Sequence, residues 1–413
     1  AYGLCGYNAW HGHYLYITIS VCLIPWIYYY FFKILEQPHW LLSVKLALFI
    51  WWQITAGNPS FIIVSFYFLM LAFIVRIIYN FRKKNAGQNK KMTLYIILAA
   101  VLAVVLSAPV FLNAYYVFPE TSRAGGISVE WAAAESVMWR NVFSVFSSIT
   151  SIEREIRRGA EAPIYNLYIG IPTLLLAIFG IVKLRSFWIN MFSAIALMAL
   201  LLSLGLQTPL FKLFHSYLPF FNVFRMPNLI IIYTLMYLTV MAALGFLYIL
   251  KNGIRMKRYM LFSISTVVIL VIGAVYFATI YPEKENHVTD YSNMRLFLWS
   301  ASQTQKILIS LLLAITVLIM CWYFVKKGNY KALLIVILLD VGVNYNLGAI
   351  ARVMSETSAS FSNDFTSGLP TGFGVPDNIP NNRVSSLFNR LTAFWMNSST
   401  FIQQPVYLND NNF

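Results

Sequence analysis

Charge is what this sequence has least of. Asp, Glu, Lys and Arg make up 11% of the 413 residues, and only 15 residues are acidic. Soluble domains carry about a quarter charged residues, so an ordinary water-soluble globule is excluded. Cysteine is also scarce. Of Cys5, Cys22 and Cys321, two lie inside apolar runs and none has metal-ligand spacing, which excludes a disulfide framework and a zinc site. No phosphate-cradling Walker loop, dinucleotide fingerprint, HExxH or nucleophile elbow occurs, which removes ATP-driven transport and cofactor chemistry from the leading readings.

What is there is apolar. Hydrophobic residues reach 59% and the mean hydropathy is +0.67. A membrane-crossing helix needs about 20 such residues, somewhat fewer where it is short or broken. Ten runs qualify: 14–35, 43–57, 61–80, 93–113, 166–184, 187–205, 227–250, 259–280, 305–325 and 331–349. Backbone polar groups in lipid must be satisfied within the segment, so these runs predict helices. They are uninterrupted rather than alternating, which argues against a barrel. The expectation is an all-α polytopic bundle over 1–349, followed by an exported region beginning at 350–413. The chain opens at Ala1 in a polar-aromatic stretch without a signal-peptide layout, so at least one further span is expected upstream.

The net charge of +15 is explained by where the charges lie. Placing 81–92 in the cytoplasm puts the turns near 36–42, 183–186, 251–258 and 326–331 on the same side. With their helix ends, these loops hold 17 Lys and Arg against one acid, Glu36, while the opposite loops hold 13 of each sign. That is the positive-inside asymmetry. It accounts for the excess charge without a nucleic-acid partner. The long polar segments 114–165, 206–226, 281–304 and the tail then fall outside. The aromatic, proline-broken 206–226 reads as an interfacial or re-entrant piece.

Several outer motifs could carry chemistry. HGHYLY places His11 and His13 at the mouth of the first run, as a phosphate or sugar contact or as an interfacial group. TAGNPS at 55–60 is a tight turn that leaves Asn58 free to face outward, or a plain hairpin. SRAGGISVEW combines Arg123, suited to a phosphate, with backbone amides freed by two glycines and with the carboxylate of Glu130; its bland alternative is a solvated loop. In VFRMPN, Arg225 precedes a helix start, where a cation can meet a lipid phosphate or snorkel to headgroups. SIEREIRRGAE at 151–161 reads as a solvated amphipathic face. Asp340, inside the last run, is a hydrogen-bonded structural carboxyl or a catalytic or proton-carrying one.

The order of AYGLCGYNAWHGHYLYI, TAGNPSF, SAPVFLNAYYVFPETSRAGGISVEWA, YIGIPTLLLAIFG, FNVFRMPNLIIIYTLMYLTVMAALGF and LLIVILLD resembles the bacterial YfhO family of polytopic membrane proteins. The resemblance covers about residues 1–350, and LPTGFGVP in the tail fits it too. It implies a GT-C-like glycosyltransferase of the bacterial cytoplasmic membrane, which moves a sugar from a polyprenyl-phosphate donor to a cell-envelope acceptor at the outer face. No cofactor is implied beyond the lipid-linked donor. Membrane lipids and envelope proteins are the implied partners. By the same resemblance His13, Asn58, Arg123 and Arg225 are substrate-binding, and Asp340 is the family's late intramembrane acid. The turn here lacks the family's common His. GT-C enzymes usually hold their main acid in a first outer loop that this chain does not contain, which leaves Glu130 as the candidate base within it. A non-catalytic subunit of an envelope assembly and a lipid-linked glycan flippase are the competing expectations.

Overall fold

The computed structural model describes residues 2, 5, 15–84, 86–121, 124–133, 136–146, 167–223, 225, 227–252, 256–280 and 303–351. Every one of the ten apolar runs contains a helix, and no strand occurs among the described residues. Five helical segments, Tyr16–Glu36, Pro59–Arg82, Gly87–Leu106, Pro227–Asn252 and Leu308–Lys326, are long and apolar enough to cross a bilayer.

The first four helices form two hairpins: α1 Leu15–Glu36, α2 Trp40–Thr55, α3 Pro59–Arg82 and α4 Ala86–Leu106. Gly57, at φ +90°, supplies the left-handed step between α2 and α3. Asn58 then caps α3 by accepting a hydrogen bond from the Ser60 amide at 3.1 Å, with Pro59 in the first turn. Asn58 is 7% exposed, which corrects the expectation that it faces outward. Its local chemistry explains why: an Asn ahead of a helix spends its carbonyl oxygen on an orphan amide.

The predicted run 93–113 is broken. α4 ends at Leu106 and α5, Ala108–Val117, starts anew after Ser107, because Pro109 cannot donate a helical hydrogen bond. A short α6, Val129–Ala132, lies in the polar segment after it. The bundle resumes with α7 Ile171–Lys183 and α8 Phe187–Ser203, then the short α9 Pro209–Tyr217 and α10 Ile231–Asn252. α11 Met256–Ile280, α12 Gln303–Lys326 and α13 Tyr330–Ala351 complete it.

α10 is the central helix, packed along α7 and α8. Gly180 and Gly245 face each other where α7 crosses it. A Cβ on Gly180 would lie 2.5 Å from the Met241 carbonyl oxygen, and one on Gly245 would strike the Leu176 carbonyl oxygen. Small residues let the two backbones touch, the usual means of helix association where lipid supplies no hydrophobic drive. α10 meets the first hairpins through aromatic rings: Tyr28 lies 5.9 Å from Tyr233 and 5.7 Å from Tyr237, centroid to centroid. The Tyr233 hydroxyl donates to the Phe61 carbonyl at 2.7 Å.

These contacts sort the loops to two ends. At one, Gln88 reaches the Leu35 and Glu36 carbonyls, and Tyr79 stacks on Phe187. This basic end is ringed by cations on aromatic faces: Lys33 on Tyr29, Lys45 on Tyr30, Lys83 on Tyr79, Lys326 on Trp322 and Lys327 on Tyr323. The opposite end gathers 56–61, 124–133, 136–146, 167–171 and 203–223.

Candidate functional site

The polar segment after α5 folds onto the segment after α8. The Val137 amide donates to the Ser203 carbonyl at 2.9 Å. Gln207 bridges the two chains, its side-chain amide donating to the Val137 carbonyl at 2.6 Å while its oxygen accepts from the Trp139 amide at 3.0 Å. Ala132 and Val137 are buried in this seam. Gly205, at φ +55°, lies against Ser136 so closely that any Cβ would collide with it.

That seam brings two of the sequence motifs together. In SRAGGISVEW, the Ile127 amide donates to the Asn222 carbonyl at 2.9 Å. Gly126, at φ +79°, passes so near that a Cβ would sit 2.8 Å from the Asn222 side-chain nitrogen. Ser128 caps α6 by accepting from the Trp131 amide at 3.3 Å, and this short helix presents Trp131 and Glu130. The Arg225 guanidinium of VFRMPN lies 5.0 Å from the centre of the Trp131 ring. The ring holds a half-buried cation in place, and the planar donor fork of a stacked guanidinium suits an anion. Glu130, next to Trp131, is exposed.

The floor of the site is built by α9 and the turn after it. Thr208 ties this floor back to α8, donating to the Leu201 carbonyl at 2.8 Å, and Phe211 and Phe221 are buried. The Tyr67 hydroxyl of α3 donates to the Pro219 carbonyl at 2.6 Å. Leu213, Tyr217 and Phe220 are exposed. Phe220 carries φ +61°, a left-handed turn in a bulky residue, and it marks where the chain reverses towards Arg225.

Two residues that sequence reasoning passed over belong to this end. Asn228 has no exposed surface, and neither atom of its amide has a hydrogen-bond partner. Only its proximity to Arg225 and Pro227 in the motif could have drawn attention to it. Tyr168 organises the surroundings of Asp340. Its hydroxyl donates to Asp340 Oδ1 at 2.7 Å, and Asn344 Nδ2 donates to the same oxygen at 3.2 Å. Asp340 Oδ2 accepts from the Ile171 amide at 3.1 Å. The carboxyl, 3% exposed, thereby caps α7 from a helix 169 positions away in sequence. Gly170 at φ +94° admits it, since a Cβ there would sit 3.0 Å from Oδ2.

Of the candidate site residues, Arg225 meets α6 at Trp131, and Glu130 is the residue before that ring in the same short helix. Asn58 is a helix cap, and Asp340 lies in the Tyr168–Ile171–Asn344 network. His13, Arg123 and the 151–161 run lie outside the described residues. Arg123 is three positions before Gly126 in sequence. No group of three His, Cys, Asp or Glu side chains that could hold a metal ion occurs among the described residues. An apolar crevice lined by Leu176, Phe179, Ile249, Cys321, Val325 and Leu333 opens between α7 and α10–α13, towards the basic end rather than beside Arg225. No family model, curated protein or solved structure matches the chain.

Proposed function

We propose that this protein acts at the outer face of a bacterial cytoplasmic membrane on a lipid-linked phosphate, transferring a sugar from a polyprenyl-phosphate donor to an envelope acceptor. The observation that carries this reading is the meeting of the SRAGG and FRMP motifs, with Arg225 held on Trp131. In such a transfer the acceptor oxygen attacks the anomeric carbon, the bond from that carbon to the phosphate oxygen breaks, and the phosphate leaves with the electron pair. Arg225, joined by Arg123 from the adjoining loop, meets the charge that develops on the departing phosphate. Glu130 accepts the proton of the acceptor hydroxyl. In this reading Asp340 is structural, because Oδ2 already caps α7 at the Ile171 amide and Oδ1 accepts from Tyr168 and Asn344. The ten helices cross the bilayer with the basic end in the cytoplasm, and 350–413 begins an exported region.

A second reading, a non-catalytic subunit of an envelope assembly, is favoured by one observation: the acids described at this end are either exposed, as Glu130 is, or engaged, as Asp340 is. A flippase has less support, because the centre of the bundle is filled by buried Tyr28, Phe68, Tyr233 and Tyr237. The test is the surface glycan profile of cells carrying Arg225→Ala or Glu130→Gln at wild-type protein level. Loss of a glycan in both supports the transferase. Loss with Arg225→Ala alone supports the subunit, and an unchanged profile with Arg225→Ala removes Arg225 from the mechanism.

A further inference from the structure

Trp131 does more in the outer seam than hold Arg225. Its ring remains 42% exposed although the Arg225 guanidinium lies against it. Its indole N–H donates to no group among the described residues. The backbone beneath the ring is firmly mounted. The Ala132 and Ala133 amides donate to the Ser128 and Val129 carbonyls at 2.9 and 3.0 Å, and both alanines are buried. The close approach of Gly126 to Asn222, and the Ile127 amide bound to the Asn222 carbonyl, fix the chain that leads into α6. A tryptophan that only anchors a protein in the headgroup layer needs no such mounting and no cation on its ring.

Arg225 and Trp131 therefore offer two chemistries side by side. The guanidinium is a planar fork for phosphate oxygens. The indole is a rigid apolar plate with an electron-rich face and one unused donor at its edge. A pyranose presents the matching pair, a face of C–H bonds and a rim of hydroxyls, and its polarised C–H bonds suit an aromatic face. In a glycosyl phosphate the sugar and the phosphate share one oxygen atom. The groups that recognise them must then be neighbours, as the guanidinium carbon and the ring centre are at 5.0 Å.

We propose that Trp131 is the sugar platform of this site. The part of its ring that Arg225 leaves uncovered takes the C–H face of the donor's pyranose, the indole N–H donates to a rim hydroxyl, and the anomeric phosphate lies on Arg225. The proposal rests on the outer-face transferase reading and adds to it a residue that reads the sugar. That reading itself requires a phosphate on Arg225 and no contact at Trp131.

The test titrates the full chain, in a sugar-free detergent, with inorganic phosphate and with the 1-phosphates of glucose, galactose, mannose and N-acetylglucosamine. The quantity read is the ratio of Kd values, phosphate over the tightest hexose phosphate, within each variant. Both ligands use Arg225, so the ratio cancels any loosening of the arginine that a change at Trp131 causes. In wild type the ratio is about tenfold, the size of one aromatic contact with one hydrogen bond. Trp131→Leu abolishes the preference, and Trp131→Phe, which keeps a ring and loses the N–H, retains part of it. Trp139→Leu, at the exposed tryptophan whose amide Gln207 holds, leaves it intact. If Trp131→Leu does not fold, Trp131→Phe against Trp139→Leu decides. No preference in wild type for any hexose phosphate, with phosphate binding still lost in Arg225→Ala, overturns the platform and leaves the transferase reading standing. A preference that survives in folded Trp131→Leu, or falls equally in Trp139→Leu, also overturns the platform. Phosphate binding unchanged in Arg225→Ala overturns both.

Discussion

At the scale of single residues, the sequence identifies chemical types and leaves their roles open. Asp340 is the clearest case. A lone acid in an apolar run reads equally as a proton carrier and as a structural group, and only its partners separate the two. With Tyr168, Asn344 and the Ile171 amide on its two oxygens, it fixes the start of α7 to α13. Asp340→Asn puts an NH₂ where a donor already points, so it is expected to lower unfolding stability by about 2 kcal/mol, and Tyr168→Phe by about 1 kcal/mol. Thermal unfolding in detergent checks both. A surface glycan lost at unchanged melting temperature would restore Asp340 as a reacting group. Asn58 makes the same point from the other side, since an Asn ahead of a Pro-led helix could have been read as a cap from the sequence. Asn228 was not legible, because burial of an amide depends on which helices close over it.

At the scale of elements, each of the ten apolar runs holds a helix, the short α6 and α9 fall outside them, and helix ends were set by local chemistry. Pro109 split one run where hydropathy saw none, and the 206–226 stretch holds the short helix α9, Pro209–Tyr217, instead of one continuous span. Helix pairing was not legible. The crossing of α7 and α10 rests on Gly180 and Gly245, two glycines 65 positions apart with no motif between them. Gly245→Leu would drive a side chain into the α7 backbone. It is expected to destabilise the bundle by about 3 kcal/mol or prevent its assembly, whereas Gly87→Ala, on open surface, should be neutral or mildly stabilising. Melting temperature and detergent-resistant monodispersity read this out. A wild-type melt for Gly245→Leu would show that the two backbones do not touch as described.

At the scale of the whole molecule, the charge asymmetry between the two ends carries the topology, and with it the outer-face reading. In a chain with its three cysteines replaced by serine, Lys212→Cys should react with an impermeant maleimide in intact cells, and Lys84→Cys only after permeabilisation. The reverse pattern would turn the molecule over and place the Arg225 seam in the cytosol. The sequence by itself determined the membrane class, the helical elements and the sorting of Lys and Arg, because these depend on composition and on free-energy differences between lipid and water that each segment meets alone. Tertiary structure decided which motifs meet: SRAGG with FRMP, and Asp340 with the start of α7. Such encounters join residues separated by about a hundred positions or more, through glycine-sized gaps and shared helix ends. No local preference along the chain encodes those distances.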